Sequence, residues 1–369
     1  MSINVTLPFL PPIEEYSVYL KDIWRRNWLT NNGPLVNQLE LKLKDFLGLN
    51  HLLFTCNGTV ALQIAIKALG LKGEIITTPF SYVATTSSIV WEGCQPVMVD
   101  INSDSLTIDP SQIERAVTRQ TSAILATHVY GNACDVGAIG EIAARHGLKV
   151  IYDGAHGFGV KLHGKSIFAY GDISTASFHA TKLFHTIEGG AVFCSCPELL
   201  KKMALHRNFG HVSPTEFGDV GINGKNSEFH AAMGLCNISR VHTLIAARGK
   251  LVARYESNLA RQPIKRPAIA DGCEHNHAYF PVILDSEPTL KRVVYELNRH
   301  GIYPRRYFYP SLDELAYVGR GSPVPVSRDI SRRILCLPLY HSLSIEEVDM
   351  ICRIVARTLT YPEAHGLSR

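Results

Sequence analysis

The sequence predicts an α/β fold, with a mostly parallel central sheet flanked by helices and a smaller α+β region after it. Between about residues 50 and 195, short β-rich runs alternate with helical patterns. Those runs are continuously apolar rather than alternating, which is how strands read when both faces of a sheet are covered. Near residue 245 the pattern changes, which divides the chain into 1–245 and 246–369.

The first 35 residues are rich in Pro, Trp and Asn and read as irregular, with one short helix around 14–26. Strands are expected at 51–56, 74–78, 96–100, 123–127, 149–153, 175–178 and 191–194. Ligands of such sheets bind outside the carboxyl ends of the strands. The loop after Cys56 and Asp153 both fall at such ends. In the C-terminal region a strand is expected at 279–284 and a helix after Pro288. Leu290, Val293, Val294 and Leu297 share one face of that helix, and Gly301 stops it. The last helix opens at Ser344-Ile-Glu-Glu347, a capping box, and turns Ile345, Val348, Ile351 and Val355 inward.

A chain of 369 residues with 46% hydrophobic content suits a well-packed protein of more than one domain and argues against disorder. A net charge of +4, with no run of Lys or Arg, gives no footprint for nucleic acid. The nine cysteines are scattered, and the closest pair, Cys194-Ser-Cys196, does not match a zinc knuckle or a redox loop. Reduced thiols, and therefore a cytoplasmic location, are expected. The start, Met1-Ser-Ile-Asn-Val-Thr-Leu-Pro, has no basic or long apolar stretch of a secretion signal. No apolar run reaches the ~18 residues of a membrane span. His275-Asn-His277 lies near Cys273 and Glu274, but that cluster begins a predicted strand and no metal is expected.

The chemistry centres on the run Ser177-Phe-His-Ala-Thr-Lys182-Leu-Phe-His-Thr-Ile-Glu-Gly-Gly190. Lys182 follows an apolar strand and stands among small, hydroxyl and aromatic residues. A lysine so placed can lose its proton and attack an aldehyde, as a Schiff base to pyridoxal phosphate requires. A solvated surface lysine is the plainer reading of the same residue. Asn57-Gly58-Thr59 joins a strand to a helix, where Gly58 permits close approach and the free amides suit a phosphate. It also reads as an ordinary β–α turn. Asp153 ends a strand before Gly154-Ala-His156, where a carboxylate can hold a pyridine nitrogen protonated, or simply cap a helix. Tyr82, in Pro79-Phe-Ser-Tyr82, is able to stack on the ring or to pack in the core. Ser177 offers a hydroxyl to a phosphate or to a turn. The polar run Gly221-Ile-Asn223-Gly-Lys225-Asn-Ser-Glu228 reads by default as a surface loop.

The order of these segments resembles the sugar aminotransferases of the DegT/DnrJ/EryC1/StrS family, pyridoxal-phosphate enzymes of the aspartate-aminotransferase-like fold type I. The likeness spans nearly the whole chain. It adds Trp28-Leu-Thr-Asn-Asn-Gly-Pro34, Thr78-Pro-Phe-Ser-Tyr-Val-Ala-Thr85 and His128-Val-Tyr-Gly131 to the runs already quoted. It implies that Lys182 is covalently joined to pyridoxal 5'-phosphate and then shuttles the proton. It places Asp153 on the pyridinium, His156 on the ring hydroxyl, and Tyr82 against the ring. Gly58, Thr59 and Ser177 would bind the phosphate, and Asn223 would reach the phosphate of the neighbouring subunit. An obligate homodimer with a shared site follows.

The resemblance further implies nucleotide-diphosphate keto-deoxysugars as substrates and L-glutamate as amino donor in a ping-pong cycle. Thr30, Asn31, Arg305, Arg306 and Tyr307 would contact the sugar nucleotide. The wording Phe-His-Ala-Thr-Lys is most like the viosamine-forming type, the dTDP-4-amino-4,6-dideoxyglucose transaminases that aminate C4 of dTDP-4-keto-6-deoxyglucose. That points to deoxyamino sugars for O-antigen or other surface polysaccharide. C3-aminating enzymes and those using UDP or GDP sugars are the alternatives. One departure bears on substrate: the family's usual histidine is replaced by Tyr307 in Arg305-Arg-Tyr-Phe-Tyr-Pro-Ser-Leu312. The family's sugar 3-dehydratases carry histidine in place of the lysine, so Lys182 argues against that activity. A nicotinamide oxidoreductase would need G-x-G-x-x-G after a strand, which is absent. A non-catalytic regulator retaining the pocket is the reading from another functional class.

Overall fold

The computed structural model describes residues 2–319, 321 and 323–361. Seven strands build the main sheet: β1 (His51–Thr55), β2 (Glu74–Thr77), β3 (Gln95–Met98), β4 (Thr121–Thr127), β5 (Lys149–Asp153), β6 (Ile173–Ser177) and β7 (Gly190–Cys194). Their order is β1-β7-β6-β5-β4-β2-β3. β7 runs antiparallel to both its neighbours, and the other pairings are parallel. The apolar runs are apolar because helices cover both faces: Ile75, Ile76, Ile124, Leu125 and Ile151 are all buried. The parallel strands therefore share one carboxyl edge.

A helix, Pro34–Leu47, packs Leu35, Val36, Leu39, Leu43 and Leu47 into the core at helical spacing. The start of the chain departs from the irregular segment expected over 1–35. The helix Ile13–Arg26 is present, but a short strand, Ile3–Asn4, pairs in parallel with Ile302–Tyr303. Ile3 and Ile302 are both buried there, so the chain begins inside the C-terminal region's core.

The C-terminal region holds the antiparallel pair Phe280–Ile283 and Ile334–Leu337, with helices Glu287–Arg299 and Ile345–Thr360 against it. The capping box at Ser344 forms: its hydroxyl accepts from the Glu347 N–H, and Glu347 returns to the Ser344 N–H at 2.8 Å. The position 245/246 falls within one helix, Val241–Leu259. Val241 packs into the core beneath the main sheet, whereas Leu251, Val252, Tyr255 and Leu259 pack into the C-terminal core. A single helix thus spans both cores. Among the described residues, no helix is long and apolar enough to cross a membrane.

Candidate active site

A cavity of about 300 Å³ opens along the carboxyl edge of the sheet. Its lining comes from the ends of five parallel strands: Asn57, Gly58 and Thr59 after β1, Ser81 and Tyr82 after β2, Thr127 of β4, Asp153 of β5 and Ser177 of β6. His156, Lys182, Tyr279, Tyr307 and Phe308 complete it.

At one end lies the helix Gly58–Ala68. The Asn57 side chain caps it by accepting from the Val60 N–H at 2.8 Å. The amides of Gly58 and Thr59 head that helix and face the cavity. A Cβ at Gly58 would lie 3.0 Å from Ser177 Cβ, so glycine lets the Ser177 hydroxyl reach the helix start. Free amides, a hydroxyl and the positive end of a helix dipole suit a phosphate, the dipole alone contributing about 0.3–2 kcal/mol.

Asp153 is 5% exposed. Its carboxylate accepts from Thr85 Oγ1 at 2.7 Å and from the Ala155 N–H at 3.0 Å. Burial pushes its pKa up, while those two donors and the nearby Lys182 charge oppose the rise. Among the described residues the carboxylate thus has no guanidinium or ammonium bonded to it, and it faces a cavity, which suits a cationic ring N–H. His156 accepts from the Tyr130 N–H at its Nδ1, 3.0 Å away. Burial, then Lys182, hold its pKa well below the usual histidine value. A neutral ring that accepts at Nδ1 carries its proton at Nε2, so His156 is a donor on its other side. Phe308 stacks on His156 at 5.7 Å and 3°, and Tyr279 meets it edge-on at 5.0 Å.

Lys182 is partly buried, and its Nζ donates to the Tyr279 hydroxyl at 3.5 Å. Burial lowers its pKa to about 8, outweighing the opposing pull of Asp153 and Tyr82. The amine is therefore substantially neutral near pH 8, the state in which it is a nucleophile or base. At the rim, His179 lies 3.5 Å from Glu188.

Gly58, Thr59, Tyr82, Asp153, His156, Ser177 and Lys182 thus meet in one cavity. Tyr82 is 59% exposed at its mouth, 6.5 Å from the Phe308 ring. Thr30, Asn31 and Asn223 are exposed and do not line this chain's cavity. The pair Arg305 and Arg306 divides. Arg306 turns away: it donates to Glu287 at 3.1 Å and the Arg332 carbonyl at 3.0 Å and lies 3.5 Å over the Tyr309 ring. Arg305 is exposed and also does not line the cavity, but its charge acts on the Tyr307 hydroxyl in the cavity wall, whose pKa burial raises to about 12. Thr85, Tyr279 and Phe308 are site residues that sequence reasoning missed. Thr85 carried a signal, since it lies one helical turn past Ser81, its 2.8 Å partner. The His275 ring accepts from the His277 N–H at Nδ1 and donates to the Tyr130 carbonyl at Nε2.

The profile of the DegT/DnrJ/EryC1/StrS aminotransferase family matches residues 13–356. The chain belongs to this family. Within it, a dTDP-4-amino-4,6-dideoxy-D-glucose transaminase of Shigella dysenteriae is 43% identical over 355 residues, 95% of this chain and 97% of the relative. The Escherichia coli enzyme of the same description is 38% identical, over 96% of this chain and 98% of its own. A GDP-perosamine synthase of Vibrio cholerae is 30% identical, over 91% and 94%. Among solved structures, DesI with its TDP-sugar product superposes with a TM-score of 0.94 at 30% identity, covering 98% of this chain and 94% of that one. The family's fold type I is the architecture described above.

Proposed function

We propose that the protein carries pyridoxal 5'-phosphate and moves the amino group of L-glutamate to C4 of dTDP-4-keto-6-deoxyglucose, working as a homodimer. The observation that carries the chemistry is the meeting of three groups in one cavity. These are a lysine of lowered pKa, a buried carboxylate with no cation hydrogen-bonded to it among the described residues and a helix N-terminus backed by a serine. The identity of 43% to the Shigella dysenteriae transaminase, over 95% of the chain, supports the sugar and the carbon.

When bound, pyridoxal phosphate supplies an aldehyde that takes up an amino group and a ring that withdraws electrons from the adjacent carbon. The amides of Gly58 and Thr59 and the Ser177 hydroxyl hold the phosphate. The Asp153 carboxylate, fixed by Thr85 and Ala155, holds positive charge on the ring nitrogen. His156 donates from Nε2 to the ring oxygen. Lys182 Nζ would carry the proton from the donor's α-carbon to the cofactor carbon in the first half-reaction and from that carbon to the sugar's C4 in the second, and the Tyr279 hydroxyl lies 3.5 Å from it. Tyr82 and Phe308 cover the ring and exclude water. Asn223 belongs to the neighbouring protomer's phosphate site, which accounts for its exposure here. Arg305 and Tyr307 face the sugar nucleotide.

Incubation with L-glutamate and a panel of dTDP-, GDP- and UDP-linked keto sugars tests this. Amine appearing at C4 of the dTDP sugar, located by NMR, is the expected result. Preference for a GDP sugar, or amine at C3, would replace the substrate assignment. Borohydride reduction should tag Lys182, and a tag elsewhere would remove the mechanism.

A further inference from the structure

Glu228 lies outside the cavity and has no exposed surface. Its main-chain N–H donates to the Leu29 carbonyl at 2.9 Å. Its carboxylate accepts from the Leu35 N–H at 3.0 Å and the Val36 N–H at 2.9 Å. Those amides open the helix Pro34–Leu47 and lack partners within it. Arg26, itself paired with Asp22, donates to the same carboxylate at 3.3 Å. A Cβ at Gly33 would lie 2.5 Å from the carboxylate carbon, so only hydrogen fits there.

Where a side chain caps a helix it is usually a local one, as Asn57, Asp135, Ser286 and Ser344 are. Here the cap comes from a residue 193 positions further along the chain. The effect is a joint between two otherwise separate loops. On one side is the segment 28–33, where Asn31 and Asn32 have φ of 60° and 55° and the Trp28 indole donates to the Thr30 carbonyl at 2.6 Å. On the other is the loop 221–227, which carries Asn223. That loop has its own anchor: the Asn226 amide donates to the carbonyls of Thr55 at 3.3 Å and Glu188 at 2.9 Å.

We infer that Glu228 is a positioning residue that locks the segment 28–33 to the loop 221–227, so that Thr30 and Asn31 enter the neighbouring protomer's site together with Asn223. The inference rests on the shared-site homodimer proposed above. The main-chain bond to Leu29 survives loss of the Glu228 charge, so that loss loosens the first loop at its flanks, Arg26, Leu35 and Val36, while Asn226 holds the second loop independently. The sugar-facing side of the site is then disturbed and the cofactor-facing side is not.

Glu228→Gln keeps the shape and puts an NH2 against main-chain donors. In the holoenzyme, hydrogen exchange at 28–33 should quicken about tenfold or more while 221–227 is unchanged. Calorimetric affinity for dTDP should fall about tenfold. The half-reaction with glutamate, followed by cofactor absorbance, should stay within about twofold, and the half-reaction with the keto sugar should show a raised KM. Gly33→Ala crowds the same carboxylate from the other side and should give the same split, which serves if Glu228→Gln does not fold. Equal slowing of both half-reactions, or unchanged exchange at 28–33 in a folded variant, overturns the joint. Wild-type enzyme that takes glutamate but no nucleotide keto sugar would instead overturn the proposed function, and hydrogen exchange would still judge the joint.

Discussion

The inner and outer halves of the candidate site are built from different material. The inner half stands on strand ends: Asp153 closes β5, Ser177 closes β6, and Gly58 follows β1 by way of Asn57. Sheet pairing fixes those backbones before any side chain is chosen. The outer half is loop: 304–310 beside the cavity and, on the shared-site reading proposed above, 28–33 and 221–227 of the neighbouring protomer. Its geometry depends on long-range side-chain ties, such as those of Glu228 to Leu35 and Val36 and of Arg306 to Glu287. Relatives named for dTDP and for GDP sugars match this one chain over more than nine-tenths of its length, which fits that division.

The sharpest way to break the comparison is to remove one inner group. Lys182→Ala should lower turnover by about 10³-fold or more, since both proton transfers lose their base. The thermal midpoint should barely move, because the side chain is partly exposed and its hydrogen bond to Tyr279 is a long 3.5 Å. Retained turnover would remove Lys182 from the mechanism. A pH series sharpens the point. In protein freed of cofactor, labelling of Lys182 by an amine reagent should fall about tenfold for each unit below pH 8 and level off above it. A rise continuing past pH 10 would mean that burial does not perturb the lysine. Next in size is Asp153→Asn, which keeps the Thr85 and Ala155 contacts in outline and deletes the charge. A carboxylate beside a cation shifts its pKa by about 1–3 units, so turnover should fall about ten- to thousand-fold. The cofactor's absorbance should change with it. A loss below threefold would place the ring nitrogen elsewhere.

The same division explains what was legible in the chain. The inner half was readable because its signals are local. A continuous apolar run ends in Asp153, another ends near Ser177, and Asn57-Gly58 sits between a strand and a helix. Seven strand positions followed from that pattern alone. The outer half was not readable, because its determinants are pairs of residues far apart. Nothing near Glu228 says that its partners are Leu35 and Val36, and nothing near Tyr279 says that its hydroxyl lies by Lys182. The strand Ile3–Asn4 was missed for the same reason: two residues have no period, and only Ile302–Tyr303 makes them a strand. The helix Pro34–Leu47 was also not read, although its five buried apolar positions are spaced for a helix in the sequence itself.

The smallest effects separate the two arginines of the outer half. Arg305 and Arg306 are adjacent, so an extended backbone sends them to opposite sides. The structure shows the consequence. Arg306 is bound to Glu287, to the carbonyls of Ser331 and Arg332 and to the face of Tyr309. Among the described residues, the Arg305 guanidinium has no such partner, and its charge is felt at Tyr307 on the cavity wall. Arg305→Ala should therefore raise KM for the nucleotide sugar about tenfold, the value of one charge-assisted hydrogen bond to a phosphate, with kcat and thermal midpoint unchanged. The loss should shrink in high salt, because an exposed charge is screened. Arg306→Ala should do the reverse, lowering the thermal midpoint by a few degrees through lost ties while KM moves less than about threefold. Equal effects of the two on KM would mean that the segment does not present alternate faces to the substrate. The outer half would then be organised by something other than the ties that hold it here.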